Sequence, residues 1–578
     1  MTTNRPRLWA RHRMIAAVLV LVLAGWTNAV VTQWTDRSGA LIAVLVSAGV
    51  VLLVFDWLLD LIGPPTWRFL RGLVVDIGHA IGTNTGVVAL QRRWPRFSGW
   101  LKRRFSRHPH GLALTVTVLL AGYFFYGFLA IVFDLLGSAP LVAADPRVSA
   151  LVEAFRAPEL TRFMWMGTVV GGTVSTIFFT AGIALLLWAW SRREAATQLV
   201  LTVATGSAAV AVAKLLFHRQ RPPAANALII SPSSYSFPSG HSMSGVVMFI
   251  TLAIVLIPVL HTLRGRFMTG VVCTAIALWI GLSRIYLGVH WATDVYASWC
   301  LGLAIVVAFT GGLYIHRSTH PRRARPLKSL SPNRRWIASG AAVAVIACGL
   351  MLGAARDPLT RVRVAGSPPP IVHTSLDGNG LPTLSAAEAR RLPLVTQKLQ
   401  GSTQEPVGLI YIGTRQQLTQ AFAAAGWNVA DKATPSTVFR AAVTALTNQP
   451  YATAPVTPAF LGNKTQDIAF EQPDGKATVR RRHHTRFWLV STDTAGRQIW
   501  AATASLDTGL ELGSTIPLPT HHIAPDIDTE RDYIVQQLTA SAATTVTGTV
   551  RISQPTSGFN AQGDAFFTAG VATVLAAR

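Results

Sequence analysis

The sequence predicts an all-α polytopic membrane protein, a six-helix core with about three further transmembrane helices, followed by an α+β C-terminal domain. Three observations carry that expectation. Half of the 578 residues are hydrophobic and only 13% are charged. The apolar residues fall in runs close to the ~20 positions that a helix needs to cross ~30 Å of hydrocarbon. From about Pro382 onward the composition turns polar and mixed.

Nine apolar runs stand out along the chain: Met14–Val31, Leu41–Ile62, Leu112–Leu136, Met166–Trp190, Ala196–Leu216, Met243–Leu260, Met268–Leu282, Tyr296–Tyr314 and Trp336–Gly353. Arg11 and Arg13 precede the first run, but no small-residue cleavage site follows it before Gln33 and Trp34, so it reads as a retained helix. The three cysteines, Cys273, Cys300 and Cys348, all fall within runs, so cysteine usage says nothing of compartment.

A formal charge of +25 would point to nucleic acid in a soluble protein; here the basic residues flank the runs. They cluster at Arg92–Arg107, at Arg192 and Arg193, at Arg264 and Arg266, and in seven positions from Arg317 to Arg335. The positive-inside rule places these clusters in the cytoplasm, and nine crossings then put the loops at 137–165, 217–242 and 283–295, with everything after Gly353, outside. The first cluster interleaves with Trp94, Phe97, Trp100 and Phe105, which reads equally as an interfacial helix on an anionic leaflet or as a solvated loop held near lipid. Neither reading implies nucleic acid.

After the last run, Arg361–Pro370 is a basic, proline-rich linker. Beyond it, Val407–Ile412 reads as a strand, Gln416–Ala425 and Ser436–Leu446 as helices, His484–Val490 and Gln498–Ala504 as strands joined at Thr494-Ala495-Gly496, and Asp528–Ala542 as a helix. The division expected is 1–110, an N-terminal transmembrane pair with a basic interfacial segment; 111–316, the membrane core; 317–370, a basic loop, last helix and linker; and 371–578, the C-terminal domain.

Three segments place ionisable residues at helix ends, where a membrane protein avoids them unless they act together: Lys214 with Arg221-Pro222; Pro238-Ser239-Gly240-His241; and Ser283-Arg284 with His290 and Asp294. The topology puts all three at one membrane face. His290 and Asp294, four apart, would share a helix face, the carboxylate holding one imidazole N–H while the other nitrogen faces a substrate. Lys214, Arg221 and Arg284 would form a metal-free cradle for the charge that phosphoryl transfer concentrates on oxygen. Ser239 and Gly240, just before a helix, add a hydroxyl and backbone N–H groups at an anion-binding terminus. His241 is then placed to protonate a leaving oxygen and to activate water. Taken singly, such residues are more often snorkelling anchors or structural pairs.

The spacings Lys214-x6-Arg221-Pro222, Pro238-Ser239-Gly240-His241 and Ser283-Arg284-x5-His290-x3-Asp294 resemble the three-part signature of the type 2 phosphatidic acid phosphatase superfamily. That resemblance implies a helical fold and cofactor-free, metal-independent chemistry on a lipid phosphate through phosphohistidine. It implies His290 as nucleophile, Asp294 as its orienter, His241 as acid and base, and Lys214, Arg221, Ser239, Gly240 and Arg284 as phosphate binders. Polyprenyl pyrophosphate is favoured over glycerolipid phosphates. The superfamily also holds soluble vanadate-dependent haloperoxidases, a reading that the membrane core disfavours. Transfer of the phosphoryl group to a lipid or sugar hydroxyl, or a non-enzymatic lipid-binding scaffold, are the alternatives. The Ala- and Arg-rich composition suits a bacterial cytoplasmic membrane with site and C-terminal domain outside.

In the C-terminal domain, Gln466-Asp467, Arg482-His483-His484 and His521-His522 followed by Pro525-Asp526-Ile527-Asp528 resemble the domain named after the C-terminus of LssY, which carries no established catalytic role and leaves the domain's partner unknown. Two readings of its histidines stay open. With Asp467, Asp526 and Asp528 they would suit a divalent metal. Alternatively, adjacent histidines on a strand point to opposite faces and pack or pair with nearby acids.

Overall fold

The computed structural model describes residue 89 and residues 92–578, apart from 105, 107–108, 138–139, 320–330, 357, 360–370, 400, 402, 448, 475–478, 513–518 and 560–563. The runs Met14–Val31 and Leu41–Ile62 and the proline-rich linker Arg361–Pro370 lie outside the described residues.

A short helix, α1 (Pro95–Arg104), occupies the basic segment, with Trp94, Phe97 and Trp100 exposed. Then come α2 (Leu114–Gly137), α3 (Pro140–Ala154), α4 (Pro158–Gly171), α5 (Thr173–Ala189), α6 (Arg193–Phe217), α7 (Gly240–Leu256), α8 (Leu263–Tyr286), α9 (Ala292–Thr319) and α10 (Pro332–Arg356). Among the described residues, α2 and α6 to α10 are each long and apolar enough to cross a membrane. At 1.5 Å per residue, the 24 residues of α2 span roughly 36 Å.

Two expectations are corrected. The run Met166–Trp190 is not one helix: α4 and α5 meet at 59°, with Gly172 between them in an extended conformation that interrupts the ladder. The segment 137–165, read as a loop, holds α3 and the start of α4; Pro146 sits in α3 without ending it.

The bundle is apolar inside and outside. Leu199, Val203, Met243, Val247, Met248 and Ile280 are buried between helices, while Val118, Leu119, Tyr126, Ile177 and Leu215 stay exposed. In water that outer surface would be a liability; in hydrocarbon it is solvated. The chain direction of α6, α8 and α9 puts Arg193, Leu263 and Thr319 at one end of the bundle, and Phe217, Tyr286 and Ala292 at the other.

The strand-rich C-terminal part contains β1 (Val395–Gln397), β2 (Thr403–Pro406), β3 (Leu409–Ile412), β4 (Asn428–Val429), β5 (Phe460–Leu461), β6 (Lys464–Thr465), β7 (Ile468–Pro473), β8 (Arg482–Asp493), β9 (Gln498–Leu512), β10 (Pro519–Ile523), β11 (Thr544–Arg551) and β12 (Val571–Ala577). The large sheet runs β11-β12-β3-β9-β8-β7-β4, and β2-β1-β5-β6 form a smaller one. Its hairpin β8–β9 turns at Gly496, whose positive φ of 79° suits glycine. The helices α11 (Arg415–Ala424), α12 (Pro435–Thr447) and α13 (Ile527–Ala540) fall where periodicity places them. Leu418, Phe422, Ile534 and Leu538 of α11 and α13 cover one sheet face through Phe470, Phe487 and Trp500. Val372, Leu394, Trp488 and Val490 pack on the other.

Candidate active site

The three segments converge at the end of the bundle where α6 and α8 finish and α7 and α9 begin. Lys214 lies in the last turn of α6, Arg284 in the last turn of α8, Ser239 caps α7, and Asp294 lies in the first turn of α9.

His290 is not on a helix face with Asp294, as the spacing predicted; it stands in the turn before α9 begins at Ala292. The turn is made at Gly288, with φ +74° and the Asn226 carbonyl oxygen 2.6 Å from where a Cβ would stand. The pairing survives the change of setting. Asp294 Oδ2 lies 3.3 Å from His290 Nδ1 and accepts the Trp291 N–H at 3.0 Å. The other ring nitrogen, Nε2, is 3.1 Å from Arg221 Nη1. A guanidinium only donates, so Nε2 is the lone-pair nitrogen and Nδ1 carries the proton toward Asp294. His290 and Asp294 are both buried.

Arg221 is fixed by the Ser234 carbonyl at 2.7 Å and the Val289 carbonyl at 2.6 Å. Lys214 Nζ donates to Ser234 Oγ at 3.0 Å. Arg284, almost wholly buried, donates to the Thr168 hydroxyl of α4. Ser239 Oγ accepts from Ser242 Oγ at 2.9 Å, and its N–H donates to the Asp294 carbonyl at 3.3 Å, joining the second segment to the third. Gly240 opens α7. Among the described residues the buried Nε2 of His241 has no hydrogen-bond partner, which leaves it available to a substrate oxygen.

Four positions that sequence reasoning passed over complete the arrangement. Arg219 donates to Asp294 Oδ1 at 2.6 Å and to Asp145 Oδ2 of α3 at 2.6 Å, so one guanidinium ties two buried carboxylates. Ser236 donates to Asp294 Oδ2, and Thr168 meets Arg284. The signal for Arg219 was its place inside Lys214-x6-Arg221; for Asp145, it was a carboxylate beside apolar positions in a segment read as loop. Phe237, just before the second segment, is fully buried against Phe128 and Phe217.

In the C-terminal domain His483 and His484 separate. His483 stacks on Tyr533 of α13 and its Nδ1 lies 2.9 Å from Glu530, whereas His484 faces the other side of β8, 3.4 Å from Asp507. His522 Nδ1 is 2.6 Å from Asp564. Asp467 accepts from the Leu489 N–H, Asp526 caps α13, and Asp528 takes the Ala569 N–H and the Arg531 guanidinium. Among the described residues no group of three or more His, Cys, Asp and Glu stands together as a metal site.

The bundle thus gathers two histidines, a buried aspartate and several cationic side chains at one of its ends. Residues 195–318 match the PAP2 superfamily and residues 388–571 match LssY C-terminus, so the chain carries a PAP2 domain followed by an LssY C-terminal domain. Phosphatidylglycerophosphatase B of Bacillus subtilis is 29% identical over 170 residues, covering 29% of this chain and 83% of that protein. Undecaprenyl-diphosphatase of Sulfolobus acidocaldarius is 33% identical over 85 residues, 14% of this chain and 37% of that protein. The crystal structure of a transmembrane PAP2-type phosphatidylglycerolphosphate phosphatase from Bacillus subtilis aligns at a TM-score of 0.30 with 28% identity, covering 36% of this chain and 98% of that one.

Proposed function

We propose that this chain hydrolyses a phosphomonoester or pyrophosphate on a membrane lipid through a phosphohistidine at His290, with a polyprenyl pyrophosphate as the favoured substrate. The observation that carries it is the setting of His290, with Nδ1 3.3 Å from Asp294 Oδ2 and Nε2 3.1 Å from the guanidinium of Arg221, which implies Nδ1–H and an Nε2 lone pair. A phosphate bound to Arg221 would present its phosphorus to that lone pair.

In the first half, Nε2 attacks phosphorus and the bond to the lipid oxygen breaks, the protonated imidazole of His241 giving its proton to that oxygen. In the second half, His241 takes a proton from water, whose oxygen attacks phosphorus as the P–N bond breaks, and phosphate leaves. Lys214, Arg221 and Arg284, with Ser239 and the Gly240 end of α7, would carry the charge on the equatorial oxygens, which is the task a metal ion performs elsewhere. The relatives named above are phosphatases of lipid substrates, which supports the same reaction class.

Arg193 at the start of α6, Arg264 at the start of α8, Arg317 in the last turn of α9 and Arg335 at the start of α10 lie at the end opposite the site, which supports an extracytoplasmic site and C-terminal domain in a bacterial cytoplasmic membrane. Catalysis is assigned to 111–316, with 371–578 as a separate domain.

The test is phosphate release by detergent-purified protein in EDTA from undecaprenyl pyrophosphate, phosphatidylglycerophosphate and phosphatidic acid. Release by the wild type that disappears in His290→Ala supports the reading and ranks the lipids; no release from any of them, or release that persists in His290→Ala, overturns it.

A further inference from the structure

α3 carries two buried charges separated only by Pro146. Asp145 turns toward the site, where it accepts from Arg219, from the Thr293 N–H at 3.0 Å and from the Thr293 hydroxyl. Arg147 turns the other way, as a two-residue step of ~200° around a helix requires. It leaves the bundle and enters the C-terminal domain: Nε donates to the Leu399 carbonyl at 2.7 Å, and Nη1 to Gln397 Oε1 at 3.3 Å and Asn463 Oδ1 at 3.2 Å. The fork closes on its own helix at the Ala143 carbonyl, 2.9 Å from Nη2.

The domain is shaped to receive that side chain. Gly401, after β1, has a φ of +96°, and a Cβ there would stand 2.5 Å from Arg147 Nη2. Arg147 is 6% exposed although its acceptors are all neutral oxygens. A cation so enclosed loses most of its hydration, and withdrawing the three acceptors that the C-terminal domain supplies would leave it stranded. Separately, Leu359, just beyond α10, bridges to Ile229 in the loop between Arg221 and Ser239.

We infer that the C-terminal domain is a positioning element of the phosphatase site. By holding Arg147 it fixes α3; α3 fixes Arg219 and Thr293 through Asp145; and Arg219 fixes Asp294, which orients His290. The inference rests on the reaction proposed above. Arg147 and Asn463 touch no substrate and act through α3.

The experiment uses full-length protein in detergent, with the lipid phosphate that the wild type turns over best. Arg147→Ala is expected to lower kcat about tenfold, equivalent to ~1.4 kcal/mol, with KM within about twofold. Asn463→Ala, at an exposed position that leaves the fold intact, is expected to lower kcat about twofold to threefold. In an Asp145→Asn background Arg147→Ala should add nothing, since both act on one chain of contacts. Hydrogen exchange supplies a readout independent of activity: the Thr293 amide, which donates to Asp145, should exchange faster in both Arg147→Ala and Asn463→Ala. Unchanged kcat and unchanged exchange in these variants, or effects of Arg147→Ala and Asp145→Asn that multiply, overturn the inference. Should Arg147→Ala fail to fold, the Asn463→Ala and Gln397→Ala pair decides by the same two readouts. If the wild type releases no phosphate yet the exchange coupling holds, the reaction reading has failed and the mechanical link stands.

Discussion

The membrane bundle and the C-terminal sheet both bury arginine, histidine and carboxylate side chains, and they arrange them to opposite ends. In the bundle, Lys214, Arg219, Arg221 and Arg284 gather at the end that holds the carboxylates Asp145 and Asp294, and among the described residues the His241 Nε2 has no hydrogen-bond partner. In the sheet, Arg482 is closed in by Glu471, by Asp507 and by the carbonyls of Ala454 and Pro455. Arg486 lies on the same face of β8 with Glu405 among its neighbours. An excess of cations gathered at one end of the bundle favours an anion there. A balanced cluster does not, and serves the fold.

The largest effect that would break this comparison is expected at His290. His290→Ala should abolish turnover while leaving the protein folded and inserted, because the covalent intermediate has no other acceptor; residual single-turnover labelling of the protein by a radioactive lipid phosphate would contradict it. Asp294→Asn keeps the shape but no longer holds the Nδ1 proton, and kcat should fall on the order of 10²–10⁴-fold, measured at saturating lipid. Arg482→Ala, in contrast, should leave the chemistry of the bundle's own residues alone and destabilise the C-terminal domain by about 3–5 kcal/mol, since two buried carboxylates lose their cation. Limited proteolysis or calorimetry of the full chain would read it.

A smaller, pH-dependent effect is expected at His484. Burial pushes its imidazole down to about 4, with the carboxylate of Asp507 opposing that shift. The folded domain therefore holds His484 neutral where the unfolded chain, with a value near 6.5, takes up a proton. This contribution to stability is present above pH ~6.5 and is lost as pH falls toward 4, up to about 3 kcal/mol in all. Thermal unfolding at pH 7 and pH 4.5 should differ less in His484→Leu than in the wild type; equal pH sensitivity in the two proteins would remove His484 from the account. The smallest effect belongs to the half-exposed pair Arg317–Glu194 at 2.6 Å. Glu194→Ala should change stability by less than about 0.5 kcal/mol and turnover not at all.

The contrast between the two regions also tracks what was legible beforehand. The membrane spans could be read because a hydrocarbon solvent imposes one rule, an apolar run of the right length, on every helix. The departure came at Gly172, where two adjacent glycines let the chain bend without ending its apolar run. The convergence of the three segments could be anticipated because charges at helix ends in a membrane are costly, so three such segments in order had to be explained together. In the C-terminal domain, β8, β9 and α13 followed from period and turn chemistry, but the opposite fates of His483 and His484 depended on which strand and helix lay on each face.

What the sequence determined by itself was therefore local and one-dimensional: the apolar lengths, the α+β alternation, and the identity of Lys214, Arg221, Ser239, Gly240, His241, Arg284, His290 and Asp294 as one set. Only the tertiary structure decided that His290 precedes its helix instead of lying on it, that Arg219 bridges Asp294 to Asp145, and that Arg147 reaches Leu399, some 250 positions away, at 2.7 Å. The physical reason is that a periodic pattern reports which solvent each face meets, whereas a hydrogen bond between distant segments depends on angles and distances fixed only when the helices have packed.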